Sequence, residues 1–381
     1  MKTKFLVSKT LLLGVIACLF SYGIAKAGNP KVSFKLGKGM TIIDGDSMVS
    51  LNISFFMQDR LDVLKVFDKS IKPMVTPQVK RLRLSFKGFA FTPKLEYTIQ
   101  LGFSPSDIKS GIVEDGFIKY SPVNQFAIQF GQGKLPGERE EMTSDNNLQF
   151  VDRSTTAGFF KLDRDFGLQF QSKFGKKVIF KPTAAISIGE GRNFITSSWQ
   201  HFDYTFRAEL QPMGEFTNKG DYSYGDLARE EKPKLAIAVA YDFNNKAGFT
   251  KGQLVGDAVA DSVRRDIQTI FADMNFKYKG MSLSGEYADR FVTDNTTYVT
   301  GQSFWVAAGY NCKKNYEAAF RFTRSFPGKK GNINEMNEYT IGFSKYVYGQ
   351  AVKIQTDYTL IDNKTTGKLS GLWRVQFQIV I

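Results

Sequence analysis

Residues 79–104 read VKRLRLSFKGFAFTPKLEYTIQLGFS, and the order of side chains in them decides the fold. Leu95, Tyr97, Ile99, Leu101 and Phe103 share one parity, while Glu96, Thr98, Gln100 and Gly102 take the other. Just before them, Leu82, Leu84 and Phe86 alternate with Arg81, Arg83, Ser85 and Lys87. A period of two sorts the two faces of a β-strand, whereas a helix sorts its faces at a period of 3.6. Phe91-Thr92-Pro93-Lys94 between the runs has turn chemistry, so the stretch predicts two antiparallel strands joined tightly.

The same grammar extends along the chain. Val49, Leu51, Ile53, Phe55 and Met57 oppose Ser50, Asn52, Ser54 and Gln58, and near the end Trp373, Val375, Phe377, Ile379 and Ile381 oppose Arg374, Gln376 and Gln378. Sixteen such segments are predicted, at 48–60, 79–91, 94–104, 112–121, 125–132, 165–174, 178–189, 202–211, 234–243, 266–279, 281–291, 302–312, 316–325, 337–346, 351–361 and 369–381. No segment of comparable length has a helical period, and no heptad or solenoid repeat appears. Short turns, such as Gly175-Lys176-Lys177 and Lys279-Gly280, alternate with longer polar connections.

An even number of strands with short and long ends is the asymmetry of an outer-membrane barrel. A small soluble barrel is filled by eight strands, and this chain offers twice that number. Aromatic residues near the strand ends fit interface girdles. In lipid a spanning sheet must close on itself, because no water is present to satisfy an open edge. The expected fold is therefore all-β, a transmembrane antiparallel barrel of sixteen strands over residues 48–381. One connection, 212–233, is long where this scheme wants a turn.

The N-terminus has the layout of an export signal. Lys2, Lys4 and Lys9 form a basic head, Leu11 to Phe20 an apolar centre, and Ala25-Lys26-Ala27 a cleavage site. Residues 1–27 are read as a signal peptide and 28–47 as an N-terminal periplasmic segment, which places the chain in the outer membrane of a Gram-negative bacterium. The whole sequence carries a formal charge of +14. Removing residues 1–27 takes away four Lys and no acid, leaving +10. Only Cys312 then remains, so no intrachain disulfide is expected.

Parity also assigns the inner face. Arg81, Arg83 and Lys87 fall on one strip of one strand, with no acid on that strand. Side chains two apart on a strand sit about 7 Å apart, so the two arginines repel by roughly 0.6 kcal/mol in water and more in a narrow lumen. Something anionic should offset them, and a positive lumen concentrates anions. These three are the candidate anion-binding residues; mutual ion pairing with acids elsewhere in the wall is the structural alternative. The third long connection, Gly133 to Arg164, is long enough to narrow the pore if it folds inward. Its cations Lys134, Arg139, Arg153, Lys161 and Arg164 are candidate constriction residues, although it is also rich in acids.

Several patterns in order resemble the phosphate-selective porin O and P family, in the form found in Bacteroidota. They are residues 79–104 quoted above, then GQGKLPGERE (131–140), LQFVDRS (148–154), LDRDFGLQ (162–169), RAELQPMGEF (207–216) and GDYSYGDLAREEKPKLAIAVAYDFN (220–244). The resemblance implies a trimeric outer-membrane porin of sixteen strands, an inward-folded third loop, and an arginine-lined path for phosphate or polyphosphate. It implies insertion among outer-membrane lipids by the barrel assembly machinery. The basic run carries over to Arg81 and Arg83. The sequence departs from the pattern in its Glu-rich third loop and in ending on Ile381 where such barrels often end in Phe.

The function expected is passive diffusion of phosphate, polyphosphate or other small anions, with a general small-solute porin as the alternative. A barrel enzyme or an adhesion barrel is the reading from other classes. His201 is the single imidazole and has no nucleophile motif beside it, so no catalytic residues are named. No cofactor, no metal and no nucleic-acid partner are expected.

Overall fold

The computed structural model describes residues 29–195, 201–293, 297–328 and 333–381. The signal peptide read at 1–27 lies outside the described residues.

Among the described residues there are eighteen strands. Two are short, β1 (Lys31–Lys35) and β2 (Gly39–Ile43). The others are β3 (Val49–Val66), β4 (Met74–Ala90), β5 (Thr92–Gly102), β6 (Val113–Val123), β7 (Phe126–Lys134), β8 (Arg164–Ser172), β9 (Ile179–Ser187) and β10 (Asp203–Gln211). They continue with β11 (Lys234–Ala247), β12 (Arg265–Tyr278), β13 (Met281–Val292), β14 (Gly301–Asn311), β15 (Tyr316–Pro327), β16 (Met336–Tyr348), β17 (Val352–Asn363) and β18 (Lys368–Val380). Each of the sixteen predicted segments overlaps one of β3–β18. Every strand in that set pairs antiparallel with its sequence neighbour, and β18 returns to β3, from Ser370 opposite Val66 to Val380 opposite Phe56. The sheet is a closed sixteen-stranded barrel.

Burial confirms which face is which. Phe320, Ile341 and Phe343 are among the large apolar side chains left exposed on the outside. The residues between them, Arg321, Thr340 and Ser344, are buried inside. This inverted distribution is what a barrel in hydrocarbon requires. Among the described residues no helix is long and apolar enough to cross a membrane.

Short turns gather at one end. Tyr278 pairs with Met281 across Lys279-Gly280, whose φ values are 49° and 94°. Positive φ at both central residues is the hairpin turn whose twist matches its strands, and Gly280 takes the second position without strain.

Within the stretch 28–47, read as an N-terminal periplasmic segment, residues 31–43 form a hairpin that joins the sheet. β2 pairs with β3 from Met40 opposite Ile53 to Ile43 opposite Ser50. β18 and the Ile381 that follows it cover β3 only as far as Phe55, and β2 pairs with β3 beyond that point. Gly37 N donates to Val380 O at 3.1 Å, fastening the hairpin to the end of β18.

The connection 212–233 is a turn between β10 and β11 at the short-turn end, and the strand count stands. Its residues fold back into the barrel. Tyr222 donates to Glu209 at 2.7 Å, and the Tyr224 ring meets Trp305 edge-on at 5.6 Å.

Candidate functional site, a charged passage between loop and wall

The third long connection, residues 135–163, carries helices α1 (Arg139–Met142) and α2 (Thr155–Phe160). Ser154 caps α2, accepting from Ala157 N at 3.4 Å. Phe160, Leu135 and Leu162 pack on Phe271, Ala185, Ala240 and Ala288, which stand on the inner face of the wall. Burying such side chains contributes about 1.5–3 kcal/mol each. The small wall residues leave the room. At Gly342 a Cβ would lie 2.9 Å from the Phe150 ring, and at Gly309 only 2.2 Å from Gln149, so both positions admit the loop by lacking a side chain.

Polar anchors complete the docking. Arg139 is fully buried and donates to Asp273 and Glu209, each at 2.8 Å, and to the carbonyl of Asp221 at 3.0 Å. Its guanidinium also lies 4.9 Å from the Tyr222 ring centre. Arg321 lies over the Phe150 ring at 4.6 Å, and Lys353 donates to Leu148 O at 2.8 Å. The loop thus leans on β10–β18 and leaves the inner face of β4–β9 lining the open space.

Two cavities lie along that space. The one nearer the long connections is about 330 Å³. Seven cations line it (Lys80, Arg81, Arg83, Arg153, Lys161, Arg164 and Arg192) and so do six acids (Asp107, Glu114, Glu141, Asp145, Asp152 and Asp163). The one at the short-turn end is about 510 Å³. Lys87, Lys119, Lys134, Lys173, Lys181 and Arg207 line it, with Asp115 as its only acid. Between them Arg164 bonds Asp115 at 2.8 Å.

Arg81 and Arg83 face inward, and they are already paired. Arg81 lies 3.0 Å from Asp145 and 3.4 Å from Asp152. Arg83 lies 2.6 Å from Asp145 and 2.7 Å from Asp107. The offsetting anions are therefore carboxylates of the protein's own connections. Burial acts to raise the pKa of Asp145 and Asp152, but the surrounding guanidiniums outweigh it and hold both well below the usual carboxylate range.

Lys87 differs. It is exposed in the short-turn cavity, Lys119 is half-buried nearby, and among the described residues neither makes an ion pair.

The loop cations serve mainly as internal ties. Arg139 is an anchor with no exposed surface, which removes it from contact with a solute. Arg153 bonds Glu141 at 3.1 Å, reaches Asp145, and donates to Thr143 O at 2.9 Å. Lys161 bonds Glu141 at 3.2 Å, Arg164 bonds Glu114 at 3.0 Å, and Lys134 donates to Glu141 O. His201 stands two residues before β10 with Nδ1 3.1 Å from Asn245 Oδ1.

Sequence reasoning missed the participation of 212–233 and of Asp107. A signal for loop docking was present in β11, where Ala236, Ala238 and Ala240 occupy the inward parity that is polar or charged elsewhere.

Solved structures share the architecture. An anion-selective porin from Comamonas acidovorans superposes with a TM-score of 0.58 at 10% identity, covering 87% of this chain and 100% of that one. The outer membrane channel DcaP of Acinetobacter baumannii gives 0.55 at 12% identity, with 87% and 97% covered. OmpT, an outer membrane protein of Vibrio cholerae solved in a trimer form, gives 0.51 at 10% identity, with 86% and 99% covered. No curated protein matches the chain by sequence. The model of the family described as phosphate-selective porin O and P matches residues 59–374, nearly the whole barrel, and the chain belongs to that family.

Proposed function

We propose that the protein is an outer-membrane porin, exported through residues 1–27 and assembled as a homotrimer, that passes phosphate and other small anions by passive diffusion. The observation that carries this reading is the short-turn cavity, where Lys134, Lys173, Lys181 and Arg207 are paired with acids behind the lining while Lys87 and Lys119 make no ion pair among the described residues. The closed barrel and the family point to a channel and away from an enzyme. The anion-selective porin from Comamonas acidovorans shares the fold, and the trimer form of OmpT supports the assembly.

A low-dielectric wall strengthens the field of Lys87 and Lys119, which raises the local concentration of anions and lowers that of cations. Passage needs binding strong enough to recruit and weak enough to release. Lysine ammonium groups, strongly hydrated point charges on flexible stems, suit that requirement. A general small-solute porin is favoured by one observation, the near balance of charge in the cavity on the long-connection side. Reversal potentials in a KCl gradient separate the two. An anion-preferring channel shifts toward the chloride potential and is blocked by phosphate, and a general porin stays near zero and is not blocked.

A further inference from the structure

We infer that Asp145 is a tethered competitor for the transported anion, a residue whose carboxylate occupies the place a small tetrahedral oxyanion takes among Arg81, Arg83 and Arg153. The inference rests on the anion-porin reading above and adds to it the residue that sets affinity.

Three guanidiniums converge on this one side chain. Arg81 lies 3.0 Å from Oδ1, Arg83 lies 2.6 Å from Oδ2, and Arg153 also bonds Oδ1. Planar paired donors around an oxyanion are the chemistry by which phosphate is held. With Asp145 neutralised, the seven cations lining this cavity face five acids, an excess that a doubly charged phosphate would satisfy.

The other acids on these arginines are built into their own surroundings. Asp107 also accepts from Leu82 N at 3.3 Å and from Ser104 Oγ at 2.8 Å. Asp152 also accepts from Arg153 N at 3.0 Å and from Arg60 at 2.6 Å. Among the described residues, the side chain of Asp145 has only the three guanidiniums as hydrogen-bonding and ion-pair partners. Taking it away removes no support from the backbone and leaves three oriented donors on the wall of the cavity of about 330 Å³. A carboxylate held in place by its own chain competes at high effective concentration, so free anion binds weakly and leaves quickly.

The test uses the purified full-length protein in planar bilayers, with inorganic phosphate as blocker of KCl current at constant ionic strength. Asp145→Asn and Asp145→Ser should lower the half-blocking phosphate concentration about tenfold, the effect of 1.4 kcal/mol. Asp145→Glu, which restores the charge, should stay close to the native value. Heat-modifiable gel migration reports folding of each variant. Half-block unchanged or raised in a folded neutral variant, with the native channel still anion-preferring, overturns this inference alone. A native channel without anion preference overturns the reading beneath it as well. If neither neutral variant folds, Asp145 is a structural brace and the inference is overturned.

Discussion

At the scale of single residues, the two kinds of lumen cation have opposite consequences when removed. Lys87 has no ion-pair partner among the described residues, so Lys87→Gln should leave heat stability within about 0.5 kcal/mol and reduce anion preference, read as a smaller reversal potential. Arg139 is the reverse case. Arg139→Ala takes a guanidinium from between Asp273 and Glu209, which keep Arg207 as their remaining guanidinium partner. The change should cost about 3 kcal/mol, read as a lower melting midpoint of the detergent-solubilised protein. Glu138 adds a pH dependence. Burial, assisted by the charge of Glu141, pushes its carboxyl from the ordinary 4.5 up to about 8. The folded state then holds the proton more tightly than the unfolded one, so this contribution to stability is present below pH 4.5 and is lost as pH rises toward 8. Glu138→Gln should flatten the melting-midpoint profile across that window. Parity in the sequence places Arg81 and Arg83 on the inner face, yet it carries no information on Asp145, 62 positions from Arg83 in sequence and bonded to it in space.

At the scale of elements, a strand announces itself locally and a docked loop does not. β5 and β18 are legible because each alternates over its own length, and lipid on one side with water on the other enforces the period. The length of 135–163 is also legible. The surface it leans on is fixed by contacts with residues more than a hundred positions away, such as Ser303 for Thr156 and Asp357 for Val151. Docking of α2 depends on Phe160, so Phe160→Ala should cost about 3–5 kcal/mol of local packing. The barrel itself should still form. Single-channel recordings should then show larger and noisier conductance as the loop loosens. The hairpin β1–β2 was not legible as strand because its two strands are five residues each, too short for alternation to stand out. Its role at the β3 edge is set by where β18 stops.

The whole molecule is a closed wall with its interior filled from both ends. The third long connection enters from one side and residues 212–233 from the other, and they meet where Tyr224 N donates to Asn147 O at 3.0 Å. That filling leaves two cavities off-centre against β4–β9, one with nearly balanced charge near the long connections and one at the short turns where Lys87 and Lys119 are left unpaired among the described residues. Length, strand count and family were readable from residues in sequence order. The sign of the field at each depth was not, because it depends on which cations are already paired. The most direct test is the reversal potential of the purified protein in a planar bilayer under a KCl gradient. A potential displaced toward the chloride equilibrium value is the result predicted. A potential at zero, or displaced toward potassium, would contradict it.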